Sequence, residues 1–250
     1  MDLELSGRTA LVTGASSGIG WAIAQALSAE GARVAVTARR KDKLAALGDQ
    51  MEAGGLDRPH MFASDLLAED SADQIADHVQ AEIGPVDILV NNAGGSRPLP
   101  VGAPEAAWSE AMDLNFVRPR QLAERLLPPM RQRNWGRIIC ITGKSEPDRI
   151  NAAFCAKAAL HSWAKGLSRE VGGDGVTVNS VAPGRIISEQ VLRNYDPDYR
   201  AAHAATEIPV GRYGEARDVA RLVCFLASPL ADYMTGTVIP VDGGLRRYQF

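Results

Sequence analysis

Residues 11–24 read LVTGASSGIGWAIA. An apolar run ends at Thr13, glycines stand at positions 14, 18 and 20, and an apolar helical period begins at Ile19. A chain leaving a strand and entering a helix within so few residues needs positions without Cβ, and the turn leaves backbone N–H groups and a helix amino terminus facing outward. Phosphate binds well to such a turn. Ile19, Ala22, Ile23, Ala26 and Leu27 follow i, i+3, i+4, i+7, i+8 spacing, which predicts one apolar stripe laid on a sheet, and Gly31 ends the helix.

The same rhythm continues along the chain. Short apolar runs at 9–13, 33–37, 60–63, 88–91, 137–142, 177–181 and 238–241 predict seven strands. Helical stretches at 41–53, 72–82, 106–132, 152–171 and 216–226 lie between them. Strand and helix in alternation predict a parallel, doubly wound Rossmann-type α/β sheet with helices on both faces. No linker rich in Pro, Gly or Ser interrupts it, so one domain over residues 1–250 is expected. Two segments break the rhythm, 94–104 and 188–209; both follow strands, which places them as loops over a substrate at the carboxyl edge of the sheet.

Composition narrows the partners. The 250 residues are 46% hydrophobic and 23% charged, with 27 basic and 30 acidic side chains and a formal net charge of −3. That balance offers no electrostatic footprint for nucleic acid or an anionic membrane, which leaves small molecules as the expected partners. No basic, then apolar, leader opens the chain and no run of about 18 apolar residues occurs, so a cytoplasmic location is expected. Cys140, Cys155 and Cys224 are odd in number and widely spaced, and are expected to pack as small apolar residues. The histidines at 60, 78, 161 and 203 show no metal-binding spacing, and no metal is expected.

The second predicted strand runs into Ala38-Arg39-Arg40. A carboxylate here would bind an adenosine 2′-hydroxyl; two guanidiniums without one favour a 2′-phosphate, and hence NADP over NAD.

These residues together resemble the short-chain dehydrogenase/reductase family over nearly the whole chain. Thr13-Gly14, Gly18-Ile19-Gly20 and the intervening Ser16 and Ser17 resemble its nucleotide motif. Asp65-Leu66 resembles its adenine contact, Asn91-Asn92-Ala93-Gly94 the end of its fourth strand, and Asn115 its active-site asparagine. VNSVAPGRIIS at 178–188 resembles the segment that holds the nicotinamide, through Pro183, Gly184, Ile186 and Ser188. RYGEARDVARLVCFLAS and YMTGTVIPVDGG match the carboxyl-terminal pattern. The likeness implies a Rossmann-type fold, a nicotinamide cofactor, a carbonyl or alcohol substrate and a homotetramer or homodimer. It also implies that Lys157 serves both the cofactor ribose and the chemistry.

One segment departs from the pattern. In TGKSEPDRINAAFCAK, residues 142–157, the family's tyrosine position four residues before Lys157 holds Ala153. Thr142 and Gly143 fall at the serine pair, and the loop is about three residues short. Lys144 and Ser145 follow the strand and are candidates to orient substrate or move a proton, since a second ammonium near Lys157 would depress a lysine pKa. Three readings stay open: an oxidoreductase with an altered proton donor, a non-redox enzyme (hydratase, dehydratase or hydrolase) on the same fold, and a nucleotide-binding protein without turnover.

Overall fold

A computed structural model describes residues 2–143 and 149–247. Seven strands, β1 (Thr9–Thr13), β2 (Arg33–Ala38), β3 (His60–Ala63), β4 (Ile88–Asn91), β5 (Gly136–Ile141), β6 (Val176–Pro183) and β7 (Val238–Val241), form one sheet in the order 3-2-1-4-5-6-7. Every pairing is parallel. The helices are α1 (Gly18–Ala29), α2 (Lys41–Ala53), α3 (Ser71–Ile83), α4 (Glu105–Met112), α5 (Arg118–Gln132), α6 (Ala152–Val171), α7 (Glu189–Asn194), α8 (Pro197–Glu207) and α9 (Ala216–Ala227).

Alternate strand residues serve opposite faces of this sheet, as the pleat requires. Ala10, Val12, Val34, Val36, Ile139 and Ile141 pack with Ile23 and Leu27 of α1, Leu44 and Leu47 of α2, and Val219 and Val223 of α9. Leu11, Ala35, Ile138, Cys140 and Val178 pack with Ile75 and Val79 of α3, Leu122 and Leu126 of α5, and Leu160 of α6. Burial on both faces explains why the central strands read as continuous apolar runs rather than as alternating ones. Among the described residues no helix is long and apolar enough to cross a membrane.

Four expectations are corrected or refined. The segment 188–209 is mostly helical, as α7 and α8, because Ser188 and Asp196 each accept the backbone N–H three residues ahead and so start a helix. The helical stretch expected at 106–132 runs without a break through α4 and α5 and contains a π-helical turn, Asp113–Val117, which holds the buried Asn115. In α1 the fully buried positions are Gly20, Ile23, Ala24 and Leu27, while Ile19, Ala22 and Ala26 pack against the same core partly buried. Cys155 is exposed, whereas Cys140 and Cys224 are buried.

Candidate functional site

The strand order reverses between β1 and β4, where open α/β sheets form a crevice at the carboxyl ends of the strands. Here the Thr13 hydroxyl accepts the N–H groups of Asn92 and Ala93, both at 3.0 Å. The Asn92 side-chain amide returns two bonds, to the Thr13 carbonyl at 2.9 Å and the Gly14 carbonyl at 3.2 Å. The Gly14 N–H donates to Thr37 at 2.7 Å, so the ends of β1, β2 and β4 are laced together.

Behind this lacing α1 begins. Ser17 precedes it in extended conformation without capping it, and no acid lies in its first turn. Its first N–H groups therefore face a mouth that suits an anion. The Arg40 guanidinium closes the same mouth, donating to Ser17 Oγ at 2.9 Å and Ser16 Oγ at 3.2 Å, and pairing with Glu189 at 3.1 Å. A Cβ on Gly20 would meet the Gly14 carbonyl oxygen at 2.6 Å and press on the Asn92 amide nitrogen. Gly20→Ala is therefore expected to destabilise the fold by about 1–3 kcal/mol, as overpacking does, and to weaken binding of any ligand at this turn; chemical denaturation and nucleotide titration check both.

Lys157, on the second turn of α6, donates from Nζ to the Thr142 carbonyl at 2.7 Å. Burial lowers its pKa from 10.5 to about 8. A Cβ on Gly94 would lie 2.8 Å from Asn115 Oδ1 and 3.8 Å from Lys157 Nζ, so the glycine at the end of the fourth-strand motif brings the asparagine and the lysine to one floor. Asn115 spends its amide locally: Nδ2 donates to Gly95 and Ala111, and Oδ1 accepts from the Gly95 N–H. It fixes the floor of the site.

Thr142 is also held from the far side. Its N–H donates to Val181 at 2.8 Å, and its hydroxyl lies 2.8 Å from His161 Nε2. His161 is one turn beyond Lys157, and burial, then Arg246 and Lys157, lower its pKa and favour the neutral ring. For Lys157 the sign follows from linkage. Between about pH 8 and 10.5 the unfolded chain keeps a proton that the folded chain has shed, so the stability this group contributes rises with pH across that window. The melting temperature relative to Lys157→Met is expected to climb from pH 8 to 10.5.

Above the floor opens a cleft of about 790 Å³. Ile19, Asn92, Gly94, Pro183, Gly184, Ile186 and Ser188 line it. So do Gly95, Ser96, Asn151, Phe154, Arg185, Gln190, Asn194 and Tyr195. Asn151 caps α6 through the Ala153 N–H at 3.0 Å and reaches Ser96 at 2.9 Å, which ties the 94–104 segment to the helix carrying Lys157.

The residues singled out from sequence fall into groups. Thr13, Gly14, Ser16, Ser17, Gly18, Gly20, Ala93 and Arg40 surround the glycine turn, while Ile19, Asn92, Gly94, Lys157, Pro183, Gly184, Ile186 and Ser188 line the cleft. Arg39 is exposed, with no hydrogen bond to a described residue. Asp65 and Leu66 follow β3, where Ser64 donates to Ala38 at 3.1 Å; Asp65 is exposed and Leu66 buried. Lys144 and Ser145 lie outside the described residues. Ala153 is buried and borders a smaller pocket with Gly95 and Asn115. Sequence reading missed Arg185 and His161; the signals were a cation inside PGRI and a histidine one helical turn after Lys157.

Comparison with known proteins agrees with this geometry. Residues 14–246 match the family model described as Enoyl-(Acyl carrier protein) reductase. The chain is 40% identical over 248 residues to nodulation protein G of Rhizobium sp. (strain N33), covering 97% of this chain and 98% of that protein. It is 37% identical over 248 residues to the 3-oxoacyl-[acyl-carrier-protein] reductase FabG of Escherichia coli (strain K12), covering 97% and 99%. Among solved structures, L-sorbose reductase of Gluconobacter frateurii, complexed with NADPH and L-sorbose, superposes with a TM-score of 0.92 at 30% identity, covering 99% of this chain and all of that one.

Proposed function

The chain belongs to the short-chain dehydrogenase/reductase family, and on that premise we propose that it is an NADP(H)-dependent oxidoreductase interconverting a ketone and a secondary alcohol, with a proton donor other than the family's tyrosine. The observation that carries the reading is Lys157. Its ammonium sits on the cleft floor, oriented by the Thr142 carbonyl, and burial brings its pKa to about 8, where a proton is gained and lost near neutrality.

The residues suit the cofactor. The uncapped start of α1 at Gly18, the hydroxyls of Ser16 and Ser17 and the N–H groups of the glycine turn would hold its phosphates. Arg40, already hydrogen-bonded to both serines, would hold a 2′-phosphate. Asn92, Ala93, Gly94, Pro183, Gly184, Ile186 and Ser188 would line the nicotinamide. When bound, NADP(H) supplies or accepts the hydride. NADPH in the L-sorbose reductase complex supports the assignment.

The chain's own residues then handle the proton. With Ala153 and Gly143 offering neither hydroxyl, the Lys157 ammonium donates to the substrate oxygen as negative charge develops there, and takes the proton back in the reverse direction. Thr142 holds the lysine in place and His161 holds Thr142. Lys144 and Ser145 are the competing candidates for this proton, and comparing Lys144→Ala with Lys157→Met separates them.

Thermal shift with NADPH and NADH, followed by NADPH oxidation against a panel of ketones and oxo acids, tests the function. Stabilisation by NADPH and turnover of at least one carbonyl are expected. A protein stabilised by neither nucleotide would favour the non-redox reading instead.

A further inference from the structure

The described lining of the cleft has a sign. Among the described residues that line it, Arg149, Lys157 and Arg185 are cationic and none is acidic. Lys157 stands at the floor, where the reacting end would sit, and Arg149 is exposed. Arg185 is neither: it is half-buried, in the wall where Gln190, Asn194 and Tyr195 present neutral amides and a phenol.

What stands beside Arg185 is an aromatic ring rather than a carboxylate. Its Cζ lies 5.8 Å from the centroid of Tyr195. Tyr195 stacks on Tyr199 at 5.0 Å, Tyr199 on His203 at 5.8 Å, and His203 meets Tyr213 edge-on at 5.6 Å, a ladder running through α8 and beyond it. The backbone is fixed as well. The Gly214 N–H donates to the Arg185 carbonyl at 2.8 Å, and the Ile187 N–H to the Gly214 carbonyl at 2.8 Å.

Among the described residues no carboxylate pairs with this half-buried guanidinium, and a charge partly withdrawn from water favours a counter-charge. Its planar fork of N–H donors matches the two oxygens of a carboxylate. We propose that the substrate is an oxo acid or hydroxy acid whose carboxylate is bound by Arg185, with its carbonyl or carbinol end directed to the Lys157 floor. The proposal rests on the oxidoreductase reading for the reacting end and on Arg185 alone for the anionic end.

The test uses the whole protein, with and without NADPH, and 2-oxobutanoate, 3-oxobutanoate and 4-oxopentanoate beside their methyl esters. Affinity is read by titration calorimetry, independent of turnover. At least one acid is expected to bind at least tenfold more tightly than its ester, and Arg185→Gln to bring that ratio to about one, as loss of a charge-assisted contact does. Arg185→Lys, which keeps the charge and loses the fork, should give an intermediate ratio and serves where the glutamine variant does not fold. Esters binding as well as every acid, no acid binding at all, or a ratio untouched by either variant overturns the proposal. Failure of NADPH to bind would refute the redox reading alone, since the acid-to-ester ratio is still measured on the nucleotide-free protein.

Discussion

Lys157→Met is expected to lower kcat/KM for NADPH-dependent carbonyl reduction by about 10²–10⁴-fold, the usual worth of a positioned general acid. Methionine keeps the length of the apolar stem and removes the one ammonium that the described residues place on the cleft floor. Because burial holds the lysine pKa near 8, wild-type reduction should fall as pH rises through about 8, where the acid form disappears, and the reverse oxidation should rise over the same range. The variant should lose that limb in both directions. Steady-state rates from pH 6 to 10 with wild type, Lys157→Met and Lys144→Ala check the expectation; a limb that survives in Lys157→Met and vanishes in Lys144→Ala moves the proton to the other lysine.

Arg40→Ala is expected to lower the preference for NADPH over NADH by about 10–100-fold, the range for hydrogen bonds to a charged group. The side chain reaches the glycine turn through Ser16 and Ser17, while Arg39 beside it is exposed and makes no hydrogen bond to a described residue. Stability should change little. The partner Glu189 is 57% exposed and Arg40 42%, and such surface pairs contribute about 0–1 kcal/mol. Glu189 opens α7, so a 2′-phosphate would compete with that helix for the same guanidinium. The ratio of KM values for the two nucleotides reads the preference directly, and an unchanged ratio would place the 2′-phosphate elsewhere.

The fold was legible because its signals are local and repeated. Each buried parallel strand is a short apolar run, each helix carries a 3.6-residue period, and glycines mark the β1–α1 turn. Four strands, β1, β3, β4 and β7, have the bounds that the periodicity predicts. The segment 188–209 was misread because the signals of α7 and α8 are their caps, Ser188 and Asp196, while their helices are short and weakly apolar. The π-helical turn at Asn115 has no sequence period of its own, since it shifts a helix by one residue without breaking it.

The site was legible in half. The residues proposed to hold the cofactor follow one another along short motifs, so Thr13 and Gly14 could be named from the glycine turn, and Asn92 and Lys157 from the family resemblance that the motifs carry. The contacts that give the cleft its character cross long stretches of chain. His161 meets Thr142 from 19 residues away, and Arg185 meets a ring on the far side of α7. Only folding brings these together.

The proposed reaction moves hydride between a nicotinamide and a carbonyl carbon without a tyrosine beside Lys157. Single-turnover reaction with NADPH carrying deuterium at C4, followed by mass spectrometry of the product, measures it most directly, with the oxo acids above and neutral ketones as acceptors. Deuterium on the new carbinol carbon is predicted, at a rate that falls in Lys157→Met. Nucleotide bound, with no deuterium in any product, would contradict it.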